Sequence, residues 1–525
     1  MAVNMFIILF ALIFLSSSIE SFCYPQPSIS LDSNKCKSRE CYRAAARLMQ
    51  TMDRRVDPCV NFYNYVCGNY EEHHPIPDIT IYWDNYMEKN QDILKKVRDL
   101  LEEKISEVEP TVVSKAKVLY KSCMDTDNFE ELQLTPVYHI LQKIGLPVRP
   151  KFNYFKGNET MEDDNWISTI VRAKRVMNMD LLVGFYMGPA DRNNSVYRLI
   201  EDEADLKDED EVELSLDELQ KLTEVNGIPQ TVEDIIKNVE SAFSSMIHSA
   251  KWMDRKSKEA SLEKVRAVKY FIAFPDWILN KTALEEHYSQ ISVTGSNFLL
   301  DMSAILEGKI RQQLEQLGKK YEPDEFPSDP LDINAFYYAN MNSLELPAGI
   351  LQYPFLDLGL QSLNYGSMGA LIGHELNHGF EQFAYSVILS NSVIAFISYV
   401  TTLLLFPVSS KFVNGNRTLA ENLADFSGLH ASFLAFQTLQ IKTGVERKLP
   451  GFEDFTPEQL FFLSYGNFWC QAWTAKYVEL MANDEHAPNY FRILGSLHNS
   501  EEFSKVWNCP KGSPMNPKRE KCKIW

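Results

Sequence analysis

Two short motifs and the stretch between them constrain this chain more than any other feature. GHELNHGF occupies residues 373–380, AENLAD occupies 420–425, and from Gln382 to Ser410 there is no charged residue. On a helix, residues four apart lie about 40° from one another around the axis, so His374 and His378 turn their imidazoles toward one point, where they can share a metal ion. Glu375 sits near the same face and reaches a water on that metal without being a ligand. Glu421 and Asp425 are spaced i and i+4 on a second expected helix: Glu421 supplies a third ligand, and Asp425 hydrogen-bonds a ligand histidine from behind. Within the uncharged stretch, Val387 to Phe406 is long enough to cross a membrane. A crossing there would put Glu421 on the opposite side from the two histidines, so a span and a shared metal exclude each other.

Other spacings for a third ligand fail. Position 381 is Glu and position 384 is Ala, so the glycine and last histidine of H-E-x-x-H-x-x-G-x-x-H are missing, and a short-spaced glutamate would fall at Ile397. Two neutral imidazoles and one carboxylate leave a zinc site with net positive charge. Zinc held so lowers the pKa of its water toward ~7 and polarises a carbonyl while Glu375 takes the proton, the combination that hydrolysis of an amide needs.

The rest of the chain sets the context. Its 525 residues, 45% hydrophobic, suffice for a large core and more than one domain. The net charge of -19 opposes nucleic-acid binding. Residues 6–15, FIILFALIFL, are too short to span a bilayer and precede Ser16 to Ser18; we read residues 1–21 as a secretory signal peptide. Nine cysteines and sequons at Asn158, Asn193, Asn280 and Asn416 fit an oxidising, glycosylating route and secretion, with a single-pass membrane protein as the alternative. Apolar residues at helical spacing in 85–125 and 229–320 predict a mostly helical protein. The acidic run Glu201 to Glu213 reads as a solvated loop, because nothing in its spacing converges the carboxylates.

Beyond these residues, the chain resembles the neprilysin and endothelin-converting-enzyme family of zinc endopeptidases. The matching pieces are YKSCMD (120–125), INAFYYANMNSLELPAGIL (333–351), SLNYGSMGALIGHELNHGF (362–380), NGNRTLAENLADFSGL (414–429), HAPNYFRILGSLHNSEEF (486–503) and the terminal CKIW. The resemblance implies His374, His378 and Glu421 as zinc ligands, Glu375 as general base and Asp425 behind a ligand histidine. It further implies His486 as oxyanion donor, oriented by Asp484, with Asn334, Ala335 and Arg492 gripping the substrate backbone. An apolar pocket near Phe355, Leu371 and Trp469 would take a bulky residue just after the cleaved bond. Implied disulfides are Cys36 with Cys41, Cys59 with Cys509 and Cys67 with Cys470. The implied fold is mainly α, with an α+β, thermolysin-like zincin lobe from residues 36–110 and 295–525. A second, truncated helical lobe from 111–294 would enclose a cavity that admits small peptides and excludes folded proteins.

The chain also departs from that family. It is shorter, chiefly after about residue 195, and Cys123 and Cys522 lack their usual partners. The uncharged stretch replaces a polar, aromatic-rich one; we expect a buried insert, or non-coding sequence translated through a faulty gene model, rather than a span. Glu381 stands where Asp is usual, and an arginine near residues 78–90 that would catch a substrate C-terminus is missing, which argues against release of dipeptides. The expected function is a secreted endopeptidase, carrying one zinc per chain, that cuts small peptides on the amino side of bulky apolar residues by attack of zinc-bound water. The rival readings are a catalytically defective relative or product of a faulty gene model, and a membrane-anchored interaction protein.

Overall fold

The computed structural model describes residues 34–148, 166–181, 183–190, 193–203, 228–320, 326–380 and 414–521. Residues 1–21, Asn158, most of the acidic run, the uncharged stretch and Cys522 lie outside these. Among the described residues no helix is long and apolar enough to cross a membrane.

Helices dominate, as the periodicity predicts. The first expected stretch forms Asn85–Leu101 and Thr111–Cys123; the second forms Ile228–Ser249, Arg255–Arg266, Lys281–His287 and Phe298–Leu314. Within that second stretch Lys269–Ala273, KYFIA, is instead a strand. Its alternation buries Phe271 and Ala273, and aromatic and β-branched side chains suit a half-buried pleated surface better than a helix. It pairs in parallel with Ser343–Pro347, which pairs antiparallel with Phe336–Tyr338. Among the described residues Phe336–Tyr338 is therefore an edge strand of this sheet. A second, two-stranded sheet joins Tyr82–Asp84 to Gln471–Trp473.

The main core is built from both ends of the chain. Phe62 packs edge-on against Phe503 and Trp507, with ring centroids 4.9 and 5.2 Å away, and Phe461 lies 5.1 Å from Phe433. The three bridges that the resemblance implies are present: Cys36–Cys41, Cys59–Cys509 and Cys67–Cys470. The latter two tie the first helices to the segment after Glu501–Val506 and to the turn just after Pro457–Phe468, across sequence separations of 450 and 403 respectively. Each limits the unfolded chain, so replacing Cys67 and Cys470 together by Ser is expected to cost about 2–4 kcal/mol, read as a lower unfolding midpoint under non-reducing conditions. Of segment 111–294, Ile140, Ile144, Ala173 and Val176 form a small separate core, whereas Ile228–Ser249 and Lys269–Ala273 join the main one.

Two helices position the site. Ala370–His378 carries HELNH, and Leu419–Thr443 carries ENLAD. They cross at a pair of glycines: a Cβ on Gly373 would meet the Gly428 carbonyl oxygen at 2.6 Å, and one on Gly428 would meet the His374 nitrogen at 2.3 Å. Gly428 is on the same face as Glu421 and Asp425, at i+7 and i+3, so the backbone approach that needs glycine also carries both carboxylates to the histidines.

Candidate active site and metal centre

His374 Nε2 and His378 Nε2 lie 3.0 Å apart. Glu421 spans both, with Oε2 3.2 Å from His374 Nε2 and Oε1 3.6 Å from His378 Nε2. Three donors each about 2.0–2.1 Å from a tetrahedral ion stand about 3.3–3.4 Å from one another, a spacing that the separation of the two imidazole nitrogens and their approaches to the two Glu421 oxygens bracket, so the group fits zinc. Glu421 Oε2 is buried and faces only imidazole nitrogens, His374 Nε2 at 3.2 Å and His486 Nε2 at 3.3 Å, so a cation can take the place of their protons. Glu375 also comes within 4.8 Å of both histidines. Glu421 approaches both imidazoles within ion-pair distance.

Behind this group, His374 Nδ1 is 2.9 Å from Asp425 Oδ1, so a proton there donates to the carboxylate and Nε2 keeps its lone pair for the centre. Arg492 forks onto the same carboxylate, Nε donating to Oδ2 at 2.7 Å and Nη2 to Oδ1 at 2.6 Å, while its Cζ lies 4.0 Å from the centroid of the Trp469 ring. Burial pushes the His374 imidazole down, but its bonds to Asp425 and Glu421 raise it to about 10. Burial likewise pushes the Glu421 carboxyl up, and the hydrogen bond and charge of His374, with the charges of His378 and His486, outweigh it and hold it at about 2. A bare centre therefore keeps a proton that an incoming cation must displace. Burial raises the Glu375 carboxyl, opposed by His374 and His378.

The centre opens into a cleft of about 780 Å³. His486 reaches in with Nε2 3.3 Å from Glu421 Oε2, and Asp484 accepts from its backbone N–H at 2.7 Å with Oδ1 3.0 Å from its Nδ1. Asn334, Ala335, Leu371, Trp469 and Arg492 line the cleft, the first two directly before the edge strand. Phe355 does not: it is fully buried, 5.0 Å from the ring of Tyr86, and Tyr86 takes the lining position beside Trp469. The sequence analysis missed Tyr86 and Asp84. Their only sequence signal is YWDNY, an Asp that caps helix Asn85–Leu101 by accepting from the Met87 N–H at 3.0 Å.

A zincin-like helical fold, with an imidazole pair, a facing carboxylate and a second glutamate at one cleft, defines a zinc metalloendopeptidase. Models of Peptidase family M13 match residues 58–225 and, in two pieces, 334–387 and 402–524, and the chain belongs to this family, that of neprilysin and endothelin-converting enzyme. The second match breaks inside the uncharged stretch. An endothelin-converting enzyme homolog of Locusta migratoria is 24% identical over 99% of this chain and 98% of its own, in an alignment 712 residues long, so the relative carries segments this chain lacks. Human neprilysin is 24% identical over 94% of this chain and 93% of its own; rat endothelin-converting enzyme 1 is 32% identical over 58% and 42%. In fold, the chain is similar to Mycobacterium tuberculosis zinc metalloprotease Zmp1 in complex with inhibitor, with a TM-score of 0.72 at 15% identity, covering 90% of this chain and 98% of that one. It is also similar to a Haemonchus galactose-containing glycoprotein complex, with a TM-score of 0.69 at 18% identity, covering 94% and 100%.

Proposed function

We propose that this protein is a secreted endopeptidase that hydrolyses small peptides on the amino side of bulky apolar residues, with His374, His378 and Glu421 as its zinc ligands. The observation that carries the reading is the approach of the two Glu421 oxygens, at 3.2 and 3.6 Å, to an imidazole pair 3.0 Å apart, with Glu375 within 4.8 Å of the same pair. Zinc, when bound, acidifies a water and polarises the scissile carbonyl. Glu375 takes the proton of the attacking water on its carboxylate and later delivers it to the leaving amine nitrogen. His486, whose Nδ1 lies 3.0 Å from Asp484 Oδ1, is placed to donate from Nε2 to the carbonyl oxygen as that oxygen gains charge. Arg492 keeps Asp425 ionised and grips a substrate carbonyl with its remaining donor capacity; Asn334 and Ala335 present backbone and amide groups to the peptide. Leu371, Trp469 and Tyr86 receive the bulky side chain, with Phe355 supporting Tyr86 from below.

Secretion is supported by three disulfides, which persist in oxidising compartments, and by exposed sequon residues Asn280 and Asn416. Glu421 standing 3.2 Å from His374 supports the reading without a single crossing between residues 382 and 410. The lobes of this reading are 36–110 with 295–525 and 111–294, and buried residues between 232 and 273 pack into the main core.

The test is cleavage of an internally quenched peptide by purified full-length protein. A strong chelator is expected to abolish cleavage and added Zn²⁺ to restore it, with one zinc per chain in the untreated protein. Chelator-insensitive cleavage, or zinc well below one per chain in folded protein, overturns the reading.

A further inference from the structure

The cleft holds a carboxylate that the peptidase chemistry does not use. Asp84 is 6% exposed and closes strand Tyr82–Asp84, where the two-residue period puts Tyr82 and Asp84 on one face, toward the cleft, and Trp83 on the other. Its hydrogen bonds come from neutral donors: the Met87 N–H at 3.0 Å, the Gln471 amide at 3.0 Å and the Tyr86 N–H. Burial holds the Asp84 carboxyl up at about 6 against those bonds, still below neutral pH, and among the described residues none of its hydrogen-bond donors is a cation. A buried charge without a counter-charge is costly, and a partner that brings one gains what the fold lacks. Among the described residues lining the cleft, the one Lys or Arg is Arg492, already forked onto Asp425.

The surroundings suit a cation. Tyr82 and Tyr477, with ring centroids 4.8 Å apart, line the cleft next to Asp84, and Tyr86 lines it two residues on. Tyrosine faces attract ammonium and guanidinium groups and accommodate the apolar stem of a long basic side chain. The net charge of -19 favours approach of cationic peptides.

We propose that Asp84, with Tyr82 and Tyr477, forms a subsite that takes the side chain of a Lys or Arg in the substrate, close in sequence to the residue seated against Leu371 and Trp469. This rests on the peptidase reading and narrows its substrate class to peptides pairing a bulky apolar residue with a neighbouring basic one. A capping role alone makes no such demand, because Asn and Ser cap a helix as well as Asp does.

The experiment uses full-length protein and quenched peptides identical except at the positions flanking the bulky residue, which carry Lys, Arg, norleucine or Glu in turn. At one of these positions kcat/KM for Lys or Arg is expected to exceed that for norleucine by about 10-fold or more, with Glu lowest. Asp84→Asn, which keeps the cap and removes the charge, is expected to bring the ratio to about one; Asp84→Ser serves if Asn folds poorly. A wild-type ratio of one or below at every position overturns the inference by itself, as does a ratio that Asp84→Asn leaves unchanged. Such a failure leaves chelator-sensitive cleavage of the norleucine peptide standing. If no peptide is cleaved, the peptidase reading has failed, and fluorescence anisotropy of the same peptides decides here: tighter binding of Lys over norleucine that Asp84→Asn removes supports the subsite, and equal binding overturns it.

Discussion

Glu375→Gln is expected to leave the protein folded and loaded with one zinc while lowering kcat on a quenched peptide by about 1,000-fold or more. Gln has the shape of Glu and accepts hydrogen bonds, but it takes no proton, so the attacking water and the leaving amine both lose their partner. The geometry makes this a two-part test. Two carboxylates come near the imidazole pair, and the assignment of Glu421 to the metal and Glu375 to the proton rests on the 3.2 and 3.6 Å approach of Glu421. Were the roles reversed, Glu375→Gln would empty the centre. Zinc content by atomic absorption beside kcat separates the cases: retained metal with lost turnover supports the assignment, lost metal reverses it, and unchanged turnover sinks the mechanism.

Arg492→Leu should be the most damaging single change behind the centre. It strips Asp425 of two charge-assisted bonds at 2.6 and 2.7 Å and leaves a buried carboxylate with His374 alone, a defect worth about 3–5 kcal/mol. The cation that stacks on Trp469 goes with it, so the apolar side of the cleft loosens too. The loss should depend on pH. Burial pushes the Asp425 carboxyl up, but the Arg492 charge and the bonds from His374 and Arg492 outweigh it and hold it well below its ordinary 3.8. A depressed carboxyl contributes stability in full above its unfolded value and loses it as pH falls through the folded one. The gap in unfolding midpoint between wild type and Arg492→Leu is therefore widest near neutral pH and narrows below about pH 4. A gap that stays constant to low pH would show that the ion pair is not its source. Zinc affinity should fall with stability, since Asp425 sets which nitrogen of His374 carries the proton.

Much of this site was legible before any coordinates. His374 and His378 at i and i+4, and Glu421 and Asp425 at i and i+4, are local facts of helical spacing, and each pair sits on its helix as that spacing requires. The three disulfide pairings followed from resemblance to the family, since bridges joining residue 59 to 509 and 67 to 470 leave no trace in local pattern. The strand at Lys269–Ala273 was read as helix because five residues flanked by charge-rich helices are too few to show a period of their own. Phe355, expected at the pocket wall, lies beneath Tyr86. A phenylalanine gives the same signal in a core as in a pocket, and only the packing of neighbours says which.

The amino-acid sequence by itself determined which side chains the proposed chemistry draws on and which helices present them, because both follow from residue type and a repeat of 3.6. The tertiary structure alone decided that those helices meet, through the contact of Gly373 with Gly428 that lets two backbones touch and brings Glu421 to the histidines across more than forty intervening residues. It alone also put Asp84 into the same cleft, with no counter-charge among the described residues that bond to it. Distances between residues remote in sequence are set by the packing of the whole core, and no local pattern encodes them.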